Sequence, residues 1–169
     1  MKIAVLSDIH GNYIALHTVL EDAKRQGVDH LFLLGDQLGY FYRAIEVFKL
    51  IKEWSFDMIS GNHERLFLEY LSASETRKKE INSKYGSCFS HYETQFSETL
   101  INEIKQLPEQ KTVTKDQTSF LLCHGSPSDK DQYIYPDASL EVLNANDTEN
   151  IDYVFNGHTH YPMMYKGKN

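Results

Sequence analysis

Residues 2–12 read KIAVLSDIHGN. An apolar run ends at Ser7, and Asp8, His10 and Asn12 follow at alternate positions. A short apolar run that stops at a turn reads as a buried strand. From about Asn12 the period changes. Leu16, Val19, Leu20 and Ala23 fall at i, i+3, i+4 and i+7, the spacing of one helical face, and Gly27 is placed to end that helix. The cycle then repeats. DHLFLLGD (29–36) is a second apolar strand running into a Gly-Asp turn. Ala44, Val47, Phe48 and Ile51 mark a second helix, and FDMISGN (56–62) a third strand. Strand–helix–strand–helix–strand is the pattern of a parallel sheet with crossover helices, so the fold class is α/β.

Further along, the chain becomes polar. Residues 64–107 are rich in Glu, Lys, Ser and Tyr, with Leu66, Phe67, Tyr70 and Leu71, then Phe96, Leu100, Ile104 and Leu107, at helical spacing. This stretch is expected to form a helical cap over one edge, ended by Pro108, with SETRKKE (74–80) as a solvated face. KTVTKDQTSFLLCHG (111–125) reads as a hairpin, with KTVT alternating, KDQ turning and SFLLC buried. SLEVLNAN (139–146) is a short helix, and IDYVFNGH (151–158) a last strand. No repeat, low-complexity tract or linker interrupts the 169 residues, which are expected to form a single domain over 1–169.

Bulk composition narrows the function classes. The hydrophobic share is 41% and the charged share 24%, both ordinary for a soluble globular chain. A net charge of −7 argues against a broad nucleic-acid surface, which needs a basic face. It leaves a nucleotide substrate open, because bound divalent cations reverse the sign locally. Cys88 and Cys123 lie far apart outside any CxxC pattern, as in a reduced chain without a disulfide framework. The N-terminal apolar run is too short for a signal peptide, and no segment reaches the roughly 20 apolar residues of a membrane span. A cytoplasmic location is expected.

The strand ends carry the chemistry. They are Asp8-Ile9-His10, Gly35-Asp36, Gly61-Asn62-His63-Glu64, His124-Gly125 and Gly157-His158-Thr159-His160. Five of the eight histidines lie there. In open α/β sheets, ligands bind beyond the carboxyl ends of strands, so these residues converge on one rim. Taken singly, each has an ordinary reading. Asp8 suits a helix N-cap, Gly35-Asp36 and Gly61-Asn62 suit turns, and His124 suits a satisfied histidine. Together they are costly to bury unless something binds them. Mixed imidazole and carboxylate donors suit Mn, Fe, Zn, Ni or Co.

SDIHGN, LLGDQLGY, SGNHE, CHGSP and NGHTH, in this order, resemble the motif blocks of the calcineurin-like metallophosphoesterase superfamily. The family pattern is D-x-H, G-D, G-N-H-[DE], a lone His, and G-H-x-H. GDQLGY and HGSP…YIYP are most similar to its small bacterial and archaeal phosphodiesterase-like branch. The resemblance implies a four-layer α/β sandwich with two divalent metals at the sheet rim, Mn first, with Ni, Fe, Zn or Co as alternatives. It implies one metal on Asp8, His10, Asp36 and His160, and a second on Asp36, Asn62, His124 and His158. Asp36 would bridge the two, and His63 would be the catalytic histidine, with a structural partner of an acidic neighbour as the other reading of that residue. The implied activity is hydrolysis of phosphodiester or phosphomonoester bonds in a small phosphate ester, by attack of metal-bound hydroxide. No Walker-type GxxxxGK[ST] occurs, which argues against a kinase or ATPase.

Two departures from the family pattern qualify this. The protein Ser/Thr phosphatase branch reads GD-x-x-DRG, but Gly39 and Tyr40 stand where its Asp and Arg would be. The family group also continues past G-H-x-H with another strand and an NPGS-like segment. Here YPMMYKGKN (161–169) follows, so the fold is expected without those C-terminal strands, with MMYKGKN at most beginning a strand and a turn. Rival expectations are a non-catalytic scaffold of the same fold, a Ser/Thr phosphatase and a nuclease. All seven ligand positions are filled, against the first, and the acidic charge opposes the last.

Overall fold

The computed structural model describes residues 1–167. Six strands and seven helices follow one another along these residues. The first half alternates as its periodicity dictates: β1 (Ile3–Leu6), α1 (Tyr13–Arg25), β2 (His30–Leu33), α2 (Ala44–Ile51) and β3 (Phe56–Met58). The strands make one parallel sheet in the order β1-β2-β3, with Val5 opposite Phe32 and Leu33 opposite Met58. All four residues of β2 are buried, as befits a central strand covered on both faces.

Side-chain alternation on β2 sends neighbours into different cores. Leu31 and Leu33 join Leu16, Leu20, Val47 and Ile51 on the helical side. Phe32 and Leu34 meet Val113 and Leu122 of a second sheet. That sheet contains β4 (Gln110–Lys115), β5 (Thr118–Cys123) and β6 (Tyr153–Asn156), with β4 antiparallel and β6 parallel to β5. Asp116 and Gln117 turn the hairpin, both with positive φ. The layers therefore run helices, sheet, sheet. The fourth layer is thin: α7 (Leu140–Asn144) and its flanking segments border a cavity of about 520 Å³ that Ile134, Leu143 and Val154 line. No helix among the described residues is long and apolar enough to cross a membrane.

Several expectations need correction. The middle region begins at Asn62, not Glu64, and divides into α3 (Asn62–Ser72), α4 (Glu75–Tyr85), α5 (Cys88–Gln95) and α6 (Glu98–Lys105). It is more than a cap over an edge. Phe67, Tyr70, Ile81, Phe89, Tyr92 and Ile104 are buried in the same core as β2, because their apolar stripes have no other surface to cover. Val19 is 44% exposed, so the inward stripe of α1 is narrower than its spacing suggested. The helix is capped by Asn12, whose Oδ1 accepts from the Ala15 amide at 3.2 Å, which removes the N-cap reading of Asp8. Residues 161–167 form no strand, and Lys168 and Asn169 lie outside the described residues.

Candidate metal centre

The strand-end loops are sewn to one another. Asp8, His10 and Gly11 donate their amides to the carbonyls of Gly35, Asp36 and Gln37 at 2.8–3.1 Å, extending the β1–β2 pairing past the strands. Gly157 donates to the His124 carbonyl at 2.9 Å and does the same for β5 and β6. His158 donates its amide to Asp8 Oδ2 at 2.9 Å, which ties the two sheets together at the rim. This zippering bends the backbone sharply. Asp8, His10, Asp36, His158 and His160 all have φ between +52° and +70°. Non-glycine residues seldom adopt this left-handed region, at a cost of about 1–3 kcal/mol each. Such strain persists where the surrounding structure enforces it, and it gathers here on five of the seven predicted ligands.

The side-chain donors converge. His160 Nε2 stands 3.2 Å from both Asp8 Oδ1 and His10 Nε2. His124 Nε2 is 2.9 Å from Asn62 Oδ1 and 3.6 Å from Asp36 Oδ2. His10 Nε2 lies 3.8 Å from the same Asp36 oxygen. Two donors that each sit about 2.1 Å from one ion are separated by roughly 3.0–3.4 Å at octahedral to tetrahedral angles. Asp8, His10 and His160 form one group able to hold an ion, and Asp36, His124 and His158 another. Asp36 Oδ2 lies between them, while its Oδ1 accepts the His63 amide at 2.8 Å.

Buried atoms without partners identify what the cluster lacks. Asp8 Oδ1, His63 Nδ1 and His158 Nε2 are buried and form no hydrogen bond. Buried polar groups are almost always satisfied, so these orphans fit cations and their bound ligands. The tautomers also fit. His10 donates from Nδ1 to the Leu38 carbonyl at 3.3 Å, and His124 from Nδ1 to the Leu34 carbonyl at 2.8 Å. Each Nε2 therefore offers a lone pair toward the cluster. Burial lowers the pKa of His10 and of His124 to about 4, so both rings are neutral and ready to ligate near pH 7. Burial, reinforced by the Glu64 charge, raises the Asp36 pKa well above the carboxylate range. Adjacent cations would invert that preference.

Comparison with known proteins gives the family. The model of the calcineurin-like phosphoesterase superfamily domain matches residues 1–168. The chain belongs to that superfamily. It is 29% identical over 172 residues to an uncharacterized protein of Methanocaldococcus jannaschii, covering 96% of this chain and 63% of that relative. It thus spans less than two thirds of the relative's length. A metallophosphoesterase from Sphaerobacter thermophilus superposes with a TM-score of 0.71 at 28% identity, over 95% of this chain and 60% of that one. A hypothetical protein from Pyrococcus horikoshii superposes at 0.77 with 20% identity, over 95% and 70%.

All seven predicted ligands and His63 therefore meet at one rim. His63 is only 2% exposed and sits in an aromatic box, with its ring centroid 4.8 Å from Tyr40, 5.3 Å from Tyr85 and 5.8 Å from Phe89. Its Nε2 is 4.0 Å from Asp36 Oδ2, close enough that the geometry also groups it with His10 and Asp36 as a possible ligand. Burial lowers its pKa to about 3. Gly39 makes room for this ring: φ there is +116°, and a Cβ would lie 2.2 Å from His63 Nδ1.

The roles of two residues escaped the sequence reading. Glu64, fully buried, accepts the amides of Asp36 (2.8 Å) and Gly61 (2.7 Å) on Oε2, and those of Gln37 (2.8 Å) and Leu38 (3.3 Å) on Oε1. One carboxylate thus pins the loop that carries Asp36 to the start of α3. At the third position of α3 it also satisfies the N-cap amide, which is the one signal the sequence held. Arg65 follows. Its Nη2 pairs with Asp131 and its Nη1 is buried without a partner. It stands three residues after Asn62 on α3, the spacing of one helical face; burial is the main cause of the lowered pKa values of His124 and His158, and the Arg65 charge adds to it, while opposing the burial-driven rise at Asp36. A guanidinium thus stands beside the cluster, although the Arg of the Ser/Thr phosphatase motif is absent.

Proposed function

We propose that this chain is a metal-dependent phosphoester hydrolase with two divalent ions, Mn foremost. One ion would sit on Asp8, His10, Asp36 and His160, the other on Asp36, Asn62, His124 and His158. The observation that carries this is the convergence of strained ligand backbones with Asp8 Oδ1 and His158 Nε2, which are buried and form no hydrogen bond. Nothing in ordinary packing calls for that arrangement. Such ions would activate a water as nucleophile and neutralise the phosphoryl oxygens.

The residues of the chain supply the rest. The Leu38 and Leu34 carbonyls fix the His10 and His124 tautomers, so no proton must leave these rings when a metal binds. Asn62 is neutral, which leaves more net positive charge for the substrate than a carboxylate would. His63 is assigned to the departing oxygen, where a neutral imidazole Nε2 beside Asp36 stabilises charge or relays a proton. Arg65 adds fixed positive charge near the second ligand set.

The deciding experiment measures metal content and hydrolysis of simple phosphomonoesters and phosphodiesters with added Mn²⁺, using Asp36→Asn as control. Close to two metals per chain and clear turnover above the control are expected. A wild-type chain that binds metal yet hydrolyses nothing beyond Asp36→Asn would overturn the proposal.

A further inference from the structure

An aromatic ladder begins on the candidate centre and leads away from it. The Tyr133 ring lies over His158, centroids 3.8 Å apart and planes 29° from parallel. Tyr135 is nearly parallel to Tyr133, at 9° and 5.9 Å. Tyr161 meets Tyr135 edge-on at 5.7 Å. All three are open to solvent, with exposures of 54%, 42% and 61%.

Local structure explains how two bulky rings come to stand side by side. Between them Ile134 is only 6% exposed and lines the cavity shared with Leu143. With Ile134 turned inward, alternation along an extended segment turns Tyr133 and Tyr135 outward together. The preceding loop is held by Ser126, whose amide donates to the Asp129 carbonyl at 2.7 Å and whose Oγ accepts from the Asp129 amide at 3.0 Å. Shielding of His158 accounts for one face of Tyr133. It accounts for neither Tyr135 nor Tyr161. Grouped exposed aromatic surface next to a polar site is unfavourable without a ligand and typical of a binding surface.

We propose that Tyr133 and Tyr135 form a stacking platform for a nucleobase, so that the substrate class is a nucleoside-bearing phosphoester; this rests on the phosphoester reading above. Because the ladder starts on His158, an ester held at the metal cluster has its organic group beside Tyr133. A planar base on the Tyr133–Tyr135 rings covers apolar surface on both partners. Such stacking is worth about 1–3 kcal/mol per base and tolerates any base, with purines favoured by area. A sugar phosphate or phosphoserine offers no planar group to match these rings.

The test is calorimetric binding of adenosine monophosphate, and of the ribose phosphate that lacks its base, to the Mn²⁺-loaded chain. The two share the phosphate, so their affinity ratio isolates the base. Adenosine monophosphate is expected to bind on the order of 5- to 150-fold tighter. Tyr135→Ala should bring the ratio close to one, while Tyr135→Trp, which restores a ring, should keep it. Equal affinities in the wild type, or a ratio that survives Tyr133→Ala/Tyr135→Ala, would overturn the platform. Absence of hydrolysis with the ratio intact would sink only the hydrolase reading. Hydrolysis with no ratio would sink only the platform.

Discussion

Glu64→Gln removes a charge without changing shape, which makes it a direct probe of how the centre is held. In the wild type, the carboxylate takes four backbone amides, two on each oxygen. A glutamine keeps one acceptor oxygen and turns an NH₂ toward the other pair of donors. Two charge-assisted hydrogen bonds are lost, at about 1.5–3 kcal/mol each, or about 3–6 kcal/mol together. Part of this is returned, because burial makes the wild-type charge unfavourable and raises the Glu64 pKa. A net loss of about 2–4 kcal/mol is expected, a large share of a typical 5–15 kcal/mol stability. Urea unfolding of the metal-free chain measures it. The unpinned amides belong to the loop of Asp36 and to Gly61, so metal content of the folded variant should also fall below two per chain. A variant within about 0.5 kcal/mol of wild type that still holds two metals would refute the view that Glu64 organises the site.

Three further outcomes are expected. Gly39→Ala forces a Cβ into His63 at a φ of +116°, so turnover should drop strongly while metal content, which does not depend on the His63 side chain, is retained; loss of metal would instead make His63 a ligand. Arg65→Ala should raise KM for phosphate esters by roughly tenfold, as expected for loss of about 1.4 kcal/mol of charge stabilisation, with the fold unchanged by circular dichroism. Acid should destabilise the metal-free chain. His10 and His124 resist protonation until about pH 4 and His63 until about pH 3, whereas the unfolded chain protonates all three near 6.5, so their stabilisation is present above 6.5 and lost as pH falls through that window. Burial lowers the His158 pKa in the same direction, while Asp36 and Glu64, with raised pKa values, oppose the histidines in part, so a net fall in stability with falling pH is expected. Urea midpoints at pH about 6 and about 5 check the sign, and a higher midpoint at the lower pH would contradict it.

The sequence alone determined where strands end and what stands there. The apolar runs and their polar stops are local patterns, and side-chain periods of 2 and 3.6 translate them directly into β1, α1, β2, α2 and β3. Asp8, His10, Asp36, Asn62, His124, His158 and His160 were legible for the same reason, since a parallel sheet brings its strand ends to one rim. Only the tertiary structure decided the rest. The polar segment 64–107 reads as a cap, yet its buried stripe joins the main core, because burial depends on which surface lies opposite. Glu64 appeared as a motif letter, but its task is to accept amides from residues 26–28 positions earlier, a relation with no sequence period. Tyr133 and Tyr135 entered only as letters of the YIYP motif; their exposed pairing depends on Ile134 turning inward and on the fold setting Tyr133 on His158, some 25 residues distant in sequence. Local chemistry wrote the candidate ligands; long-range contacts chose what holds them.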